Sequence, residues 1–299
     1  MLRPVTVGLD GSRESLAAAE WAAREAVLRG LPLHLVHVWE WLPDAPPAIA
    51  EPVAQQNWAA GALREAGVTM ERRHPGLLVS AQQVSGSAVK ELLQAAADSE
   101  ILVLGSRNLG RVAGFLTGSV SLAVLAHTTR PVILVRPGEL PDDSNMTDAD
   151  AASATWRPRP AVVLGLDLRQ PSDAVIEFAF DCAKRRQAPL RVIHTWNFPP
   201  LYGFAASPQP EMDRELEAAE RRALTAALSP WRDRFPDVAV EEKVLTGTAA
   251  RHLLHAASQA DLVVVGRRTA EAALGPHIGH VTHAVIHHAA CPVAVVPHE

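Results

Sequence analysis

"ILVLGSRNLGRVAGFLTGSVSLAVLAHTTRPVILV", residues 101 to 135, decides the fold. It begins and ends on short apolar runs. Between them lie a segment bearing glycine and serine and then a stretch with helical apolar spacing from about 118 to 128. Strand, loop, helix and strand in this order make a βαβ unit. Both strands, "ILVLG" and "VILVR", are apolar almost throughout rather than alternating, as burial on both faces of a parallel sheet requires.

The same rhythm extends toward the N-terminus. Apolar runs predict strands at about 4–9, 33–39, 78–84, 101–105 and 131–136, and helical spacing fills the gaps at about 13–29, 54–73, 87–98 and 118–128. Five strands alternating with four helices through right-handed crossovers predict an α/β fold, a doubly wound five-stranded parallel sheet with helices on both faces. The expected strand order is 3-2-1-4-5, which puts the switch point between strands 1 and 4.

The chain then repeats itself. "VTVGLDGS" (5–12) is echoed by "VVLGLDLR" (162–169) and "LHLVHVW" (33–39) by "LRVIHTW" (190–196), at an offset of 157 residues. "GSAVKELLQAA" matches "GTAARHLLHAA", "ILVLGSR" matches "LVVVGRR", and "RPVILVRP" resembles "CPVAVVPH", at an offset of 161. The four-residue change falls between Trp39 and Gly86, in a Pro-rich loop. Two tandem sheets are therefore expected, in domains 1–137 and 160–299. Residues 138–159, rich in Pro, Ser, Ala and acidic side chains, read as a linker.

Bulk properties narrow the function. A net charge of −5 gives no basic footprint for nucleic acid. No run approaches the roughly 18 apolar residues of a membrane helix. The opening "MLRPVTVGLDGS" runs straight into a strand-like segment and lacks the pattern of a signal peptide. Cys182 and Cys291 stand alone in apolar periodic segments, as small buried side chains, so a reducing, cytoplasmic location is expected.

Ligands of open α/β sheets bind beyond the carboxyl ends of the strands at the switch point. There the end of strand 1 supplies Asp10, Gly11 and Ser12, and the end of strand 4 opens the glycine-bearing loop at Gly105. That loop closes on "TGSVS", where Thr117 or Ser119 can cap a helix whose first amides suit an anion. A Walker loop is ruled out because Ser119 and Val120, not Lys, follow Gly118. The dinucleotide fingerprint belongs after the first strand, where this chain has "GLDGS".

On these residues the sequence resembles the universal stress protein family in its tandem two-domain form. ATP-binding members of that family carry Gly, two residues, Gly, nine residues, Gly, then Ser or Thr. Here Gly105, Gly118 and Ser119 fit, while Asn108 stands at the second glycine and is among the few residues that tolerate a left-handed backbone. The resemblance implies bound ATP, with or without Mg2+. Asp10 would reach the ribose or adenine, Val38 would line the adenine pocket, and backbone near Gly11 would assist. Gly105, Asn108, Gly118, Ser119 and Val120 would hold the phosphates, with Arg107 and Arg111 as loop arginines able to add charge. In the second copy Asp167, Gly266 and Gly279 persist, but Thr269 replaces the middle glycine and His280 the hydroxyl residue, so nucleotide binding is expected to be weaker there. The resemblance further implies a stress-response sensor or regulator without fast catalysis. It also implies pairing of the two domains through their fifth strands, and a homodimer.

Other signals carry less. "HIGH" (277–280) follows the fourth strand rather than the first, where adenylate-forming enzymes place that motif, and no lysine-bearing partner loop accompanies it. His280, His283 and His287 share a helical face, but without Cys or carboxylate neighbours they read as a histidine face rather than a zinc site. His252 and His255 read the same way. His37 and His194 are paired by the repeat and read as packed, and Trp39 and Trp196 either pack over the sheet end or wall the pocket. A scaffold that has lost ATP is the alternative function, favoured by Asn108, Thr269 and His280; an adenylate-forming enzyme is a weaker one.

Overall fold

The computed structural model describes residues 2–39, 52–106, 119–137, 160–197, 210–269 and 278–299. The chain divides into two compact units, one built around its first five strands and the other around its last five.

The first unit runs β1 (Val5–Leu9), α1 (Arg13–Arg29), β2 (Leu33–Trp39), α2 (Pro52–Arg73), β3 (Val79–Ser85), α3 (Ala88–Ala97), β4 (Ile101–Gly105), α4 (Ser119–His127) and β5 (Val132–Val135). Its strands lie in the order β3-β2-β1-β4-β5 and pair in parallel, as the apolar runs predict. Helices α1 and α2 pack together on one face and α3 and α4 on the other. Leu33, Leu35, Ile101, Leu102, Leu125 and Ile133 are fully buried between these layers. Element ends fall within two residues of expectation, as fraying ends allow.

Helix α1 starts and stops for local reasons. The Ser12 hydroxyl accepts from the Ser15 amide as N-cap, and Gly30 closes the helix at φ +63°. On its inner side Glu20 faces three basic groups: Arg24, Arg73 at 3.2 Å and His74 at 3.1 Å. Burial pushes the Glu20 carboxyl up, but His74, Arg73 and Arg24 outweigh it and hold it below the usual range. This cluster ties α1 to the end of α2.

The second unit runs β6 (Ala161–Gly165), α5 (Asp173–Arg186), β7 (Leu190–Trp196), α6 (Pro210–Arg234), β8 (Val240–Thr246), α7 (Ala249–Ala257), β9 (Ala260–Arg268), α8 (His280–His288) and β10 (Val293–His298). Its order, β8-β7-β6-β9-β10, is the same 3-2-1-4-5 arrangement. Phe180, Leu164, Ile176, Leu190, Leu224 and Leu228 fill its core. Cys182 and Cys291 are buried, and neither is in a disulfide. Among the described residues no helix is long and apolar enough to cross a membrane.

One helix departs from its counterpart. At the repeat offset α1 maps onto 170–186, and both helices end at the same place, with Gln187 taking the left-handed conformation of Gly30. Yet α5 begins only at Asp173, three residues late. The cause lies in the residue that follows the strand-end aspartate in each copy. Gly11 adopts φ +79° and delivers the chain straight to the Ser12 cap, but Leu168, at the same position, does not take a positive φ. Instead the Gln170 amide donates to the Asp167 carbonyl, 3.3 Å, in a turn that leads through Pro171 to Ser172.

Candidate functional site

The strand registers assemble the site at the carboxyl ends of β1, β2 and β4. Leu9 pairs with His37, so Asp10 comes level with Val38, and Gly8 pairs with Leu104, so Asp10 comes level with Ser106, one past Gly105. The switch point therefore brings Asp10, Gly11, Val38 and Gly105 together as expected. Ser119 and Val120 open α4, Ser119 as its first helical residue. Asn108 and Gly118, with Arg107 and Arg111, lie outside the described residues.

Asp10 is exposed and its geometry is fixed by hydroxyls. One carboxylate oxygen accepts from the Ser12 amide at 2.9 Å and the Ser12 hydroxyl at 2.5 Å. Ser15 closes the network: its hydroxyl accepts from the Asp10 amide at 3.3 Å and donates to the Ser12 carbonyl at 3.0 Å. The side chain that would meet a ligand is thus held by the cap of the helix that follows it.

A histidine on β2 braces the same point. His37 Nδ1 lies 2.7 Å from the carbonyl of Leu9, the residue before Asp10. A carbonyl only accepts, so Nδ1 carries the proton. His194 repeats this bond to Leu166, before Asp167, at 3.0 Å, and its Nε2 lies 3.2 Å from Glu220. Packing was expected of these rings; both are hydrogen-bonded clips on the strand end. Their pairing by the repeat, just before the strand 2 tryptophans, was the available signal.

Gly105 has a structural reason to be glycine. A Cβ there would stand 2.6 Å from the Glu14 carbonyl carbon and 2.8 Å from the Glu14 oxygen and the Ser15 nitrogen. The end of β4 thus presses on the backbone of α1's first turn. At Gly266 that turn is the one missing from α5, and a Cβ would meet side chains instead, His298 Nε2 at 2.7 Å and Val175 at 3.2 Å.

The second switch point keeps Asp167, which accepts from the Arg169 amide at 3.0 Å. The Thr282 hydroxyl donates to the Gly266 carbonyl at 2.8 Å, fastening the first turn of α8 to the end of β9. Gly279 precedes α8, and His280 is its exposed first residue. Thr269 is exposed and does not take a positive φ. Arg267, at the position of the buried Ser106, is 3% exposed, and burial pulls its guanidinium down from the usual value. Leu168, Arg169, Pro171 and Arg267 belong to no motif, yet each stands out against its counterpart in the first copy.

The histidine face of α8 brings two rings together, His283 and His287, with centroids 4.4 Å apart. Among the described residues no three His, Cys, Asp or Glu side chains are grouped to hold a metal ion.

Residues 1–136 and 159–297 each match the model of the universal stress protein family. A universal stress protein of Mycobacterium tuberculosis is 32% identical over 97% of this chain and 94% of its own. One of Mycolicibacterium smegmatis is 32% identical over 98% of this chain and 96% of its own. The crystal structure of a universal stress protein from Archaeoglobus fulgidus superposes with a TM-score of 0.70 at 18% identity, covering 98% of each chain.

Proposed function

The chain belongs to the universal stress protein family, and on that premise we propose that it binds ATP in its first domain and acts as a cytoplasmic stress-response sensor or regulator without fast catalysis. The observation that carries this reading is the exposed Asp10 carboxylate, fixed by Ser12 and Ser15 at the switch point and level with the end of β4. An oriented carboxylate at a switch point suits the hydroxyls of a ribose, and Val38 beside it offers an apolar edge to the base.

In this reading Gly11 lends its backbone to the sugar, and Gly105, Asn108, Gly118, Ser119 and Val120 face the phosphates. The start of α4 supplies unpaired amides and the positive end of a helix dipole. In this reading any Mg2+ is held through the phosphates of the bound nucleotide. Domains 1–137 and 160–299 pair through their fifth strands, and the chain forms a homodimer; light scattering on the full chain tests the latter.

Replacing Gly118 with Trp abolishes ATP binding in calorimetry and leaves the circular dichroism unchanged. No adenine nucleotide released on denaturing the purified protein, together with no calorimetric ATP binding, overturns the proposal; an affinity unaltered by Gly118→Trp shows that the loop is not the site. A second reading, a scaffold without nucleotide, is favoured in the second domain alone, where α5 lacks its first turn and Leu168 replaces Gly11.

A further inference from the structure

A groove of about 220 Å3 lies in the first domain between α3 and the strands β2 and β3. One end is at Pro4 and Asp98, at the start of β1 and the close of α3; the other is at Val84 and Glu91. Asp10, Gly11, Val38 and Gly105 do not line it, so it is separate from the switch point.

Glu91, Gln94 and Asp98 line it together at i, i+3 and i+7, with Asp98 at the C-cap of α3. Seven residues of helix set the two acidic positions about 10 Å apart. Glu91 leans away from Asp98: its Oε1 lies 2.9 Å from where a Cβ of Gly86 would stand, just past β3. Among the described residues neither acid has an ion-pair partner. Val36, 2% exposed, and Val84 form an apolar wall between them. The floor carries two buried hydroxyls, Ser99 Oγ lying 2.6 Å from Thr6 Oγ1 and 2.5 Å from the Ala95 carbonyl. Burial holds the His34 imidazole below its usual value, so at neutral pH it adds no charge. The nearby cations do not line the groove: Lys90 precedes Glu91 on α3, and Arg130 donates to the Ser99 carbonyl and pairs with Glu100.

The second copy carries its own cations at these positions. His34, Ser80 and Gln82 become Arg191, Glu241 and Lys243, and Glu241 pairs with both bases at 2.7 Å. Glu91 and Asp98 become His252 and Gln259, and His252 Nε2 lies 3.0 Å from the Thr246 carbonyl. Thr6 and Ser99 become Val163 and Ala260, so the hydroxyl pair is lost as well. Gln94 becomes His255, while Pro4, Val36, Val84 and Ala95 keep apolar counterparts. Two internal ion pairs in one domain thus correspond to two carboxylates without a cation in the other.

Carboxylates this far apart, with Glu91 turned outward, do not share one metal ion, whose oxygen ligands stand within about 2.6 Å of it. They suit a cation with two separated charges on an apolar chain. We propose that the groove between α3 and β2–β3 binds a linear aliphatic polyamine, its terminal ammonium groups on Glu91 and Asp98, its methylenes along Val36 and Val84, and its inner amine over the amides of Gln82 and Gln94. The site does not depend on nucleotide at Asp10.

The test is calorimetry on the full chain, without added nucleotide, using spermidine, the shorter diamine putrescine, and Mg2+ at matched ionic strength. Spermidine should bind at one site per chain, at least about tenfold tighter than putrescine, which cannot reach both acids. Glu91→Gln with Asp98→Asn should weaken spermidine by at least about tenfold, since two charged contacts are lost. Gln82→Lys keeps both acids but installs the second copy's ammonium in the groove, and should weaken it comparably. All three positions are exposed or half-buried, and circular dichroism confirms that the variants fold. Mg2+ should not displace spermidine, because a compact ion cannot bridge the two ends. Absence of spermidine binding, an affinity unchanged in either variant, an equal affinity for putrescine, or displacement by Mg2+ overturns the proposal.

Discussion

In Gly105→Ala a single methyl is driven into a helix backbone. It stands 2.6 Å from the Glu14 carbonyl carbon and 2.8 Å from two further backbone atoms of α1's first turn. No rotamer change relieves a clash with backbone. Reaching ordinary contact at 3.4 Å requires β4 and α1 to part by about 0.8 Å. Neither is free to move: β4 pairs on both edges, with β1 and β5, and α1 is fixed by the Ser12 cap and the Glu20 cluster. Overpacking costs about 1–3 kcal/mol, and a backbone clash belongs at the upper end, about 3 kcal/mol. At about 2–4 °C per kcal/mol for a domain of this size, the first domain should melt about 6–12 °C lower. Two other glycines calibrate the result. Gly266→Ala meets only side chains, which can yield, and should cost about 1 kcal/mol. Gly279→Ala meets nothing within 4 Å and should fall within about 0.5 kcal/mol of wild type. Scanning calorimetry and urea unfolding of the three give the ranking. A Gly105→Ala protein as stable as Gly279→Ala would refute the close approach of β4 to α1.

Two further substitutions probe the supports of the site. His37→Phe removes the donor to the Leu9 carbonyl, so stability should drop by about 1 kcal/mol. ATP affinity should drop with it; a loss of stability alone shows that the clip does not position Asp10. Glu20→Gln tests acid stability by urea titration at several pH values. Because the folded-state carboxyl titrates below its ordinary 4.5, its contribution is present above that value and is lost as pH falls through the lower folded value. Wild type should therefore exceed the variant by about 1–3 kcal/mol at pH 7 and converge on it in acid, whereas a gap constant from pH 7 to 3 contradicts the charge cluster.

Much of the frame was legible because it is periodic. Two-sided burial made "ILVLG" and "VILVR" apolar throughout, and the duplication showed each strand twice, so order and boundaries followed. Asp10 and Gly105 could be placed together because a switch point is a property of topology. What could not be read was the reason for each residue. Gly105 looked like phosphate chemistry, yet its missing Cβ makes room for helix backbone, a contact between segments some ninety residues apart that no local pattern encodes. His37 and His194 looked like packing because a hydrogen bond to a neighbouring strand's carbonyl has no sequence signature. The delayed start of α5 was within reach, since Leu168 against Gly11 is a plain difference in allowed dihedrals, but only a reading focused on backbone rather than on glycine spacing would have caught it.

The unequal beginnings of α1 and α5 also bear on any attempt to engineer the second domain. Transplanting Ser at 280 and glycines into the loop would copy the chemistry of the first copy without its architecture, because the turn that borders the pocket is absent from α5. A graft has to start earlier, with Leu168→Gly and replacement of Pro171, so that the chain can wind one turn sooner. That added turn would then sweep through the volume that the His298 ring fills beside Gly266, which makes His298 a required co-substitution. The shortest path between the two domains' specificities is therefore a coordinated change in three segments distant in sequence, and single-site evolution from one to the other faces a steric valley.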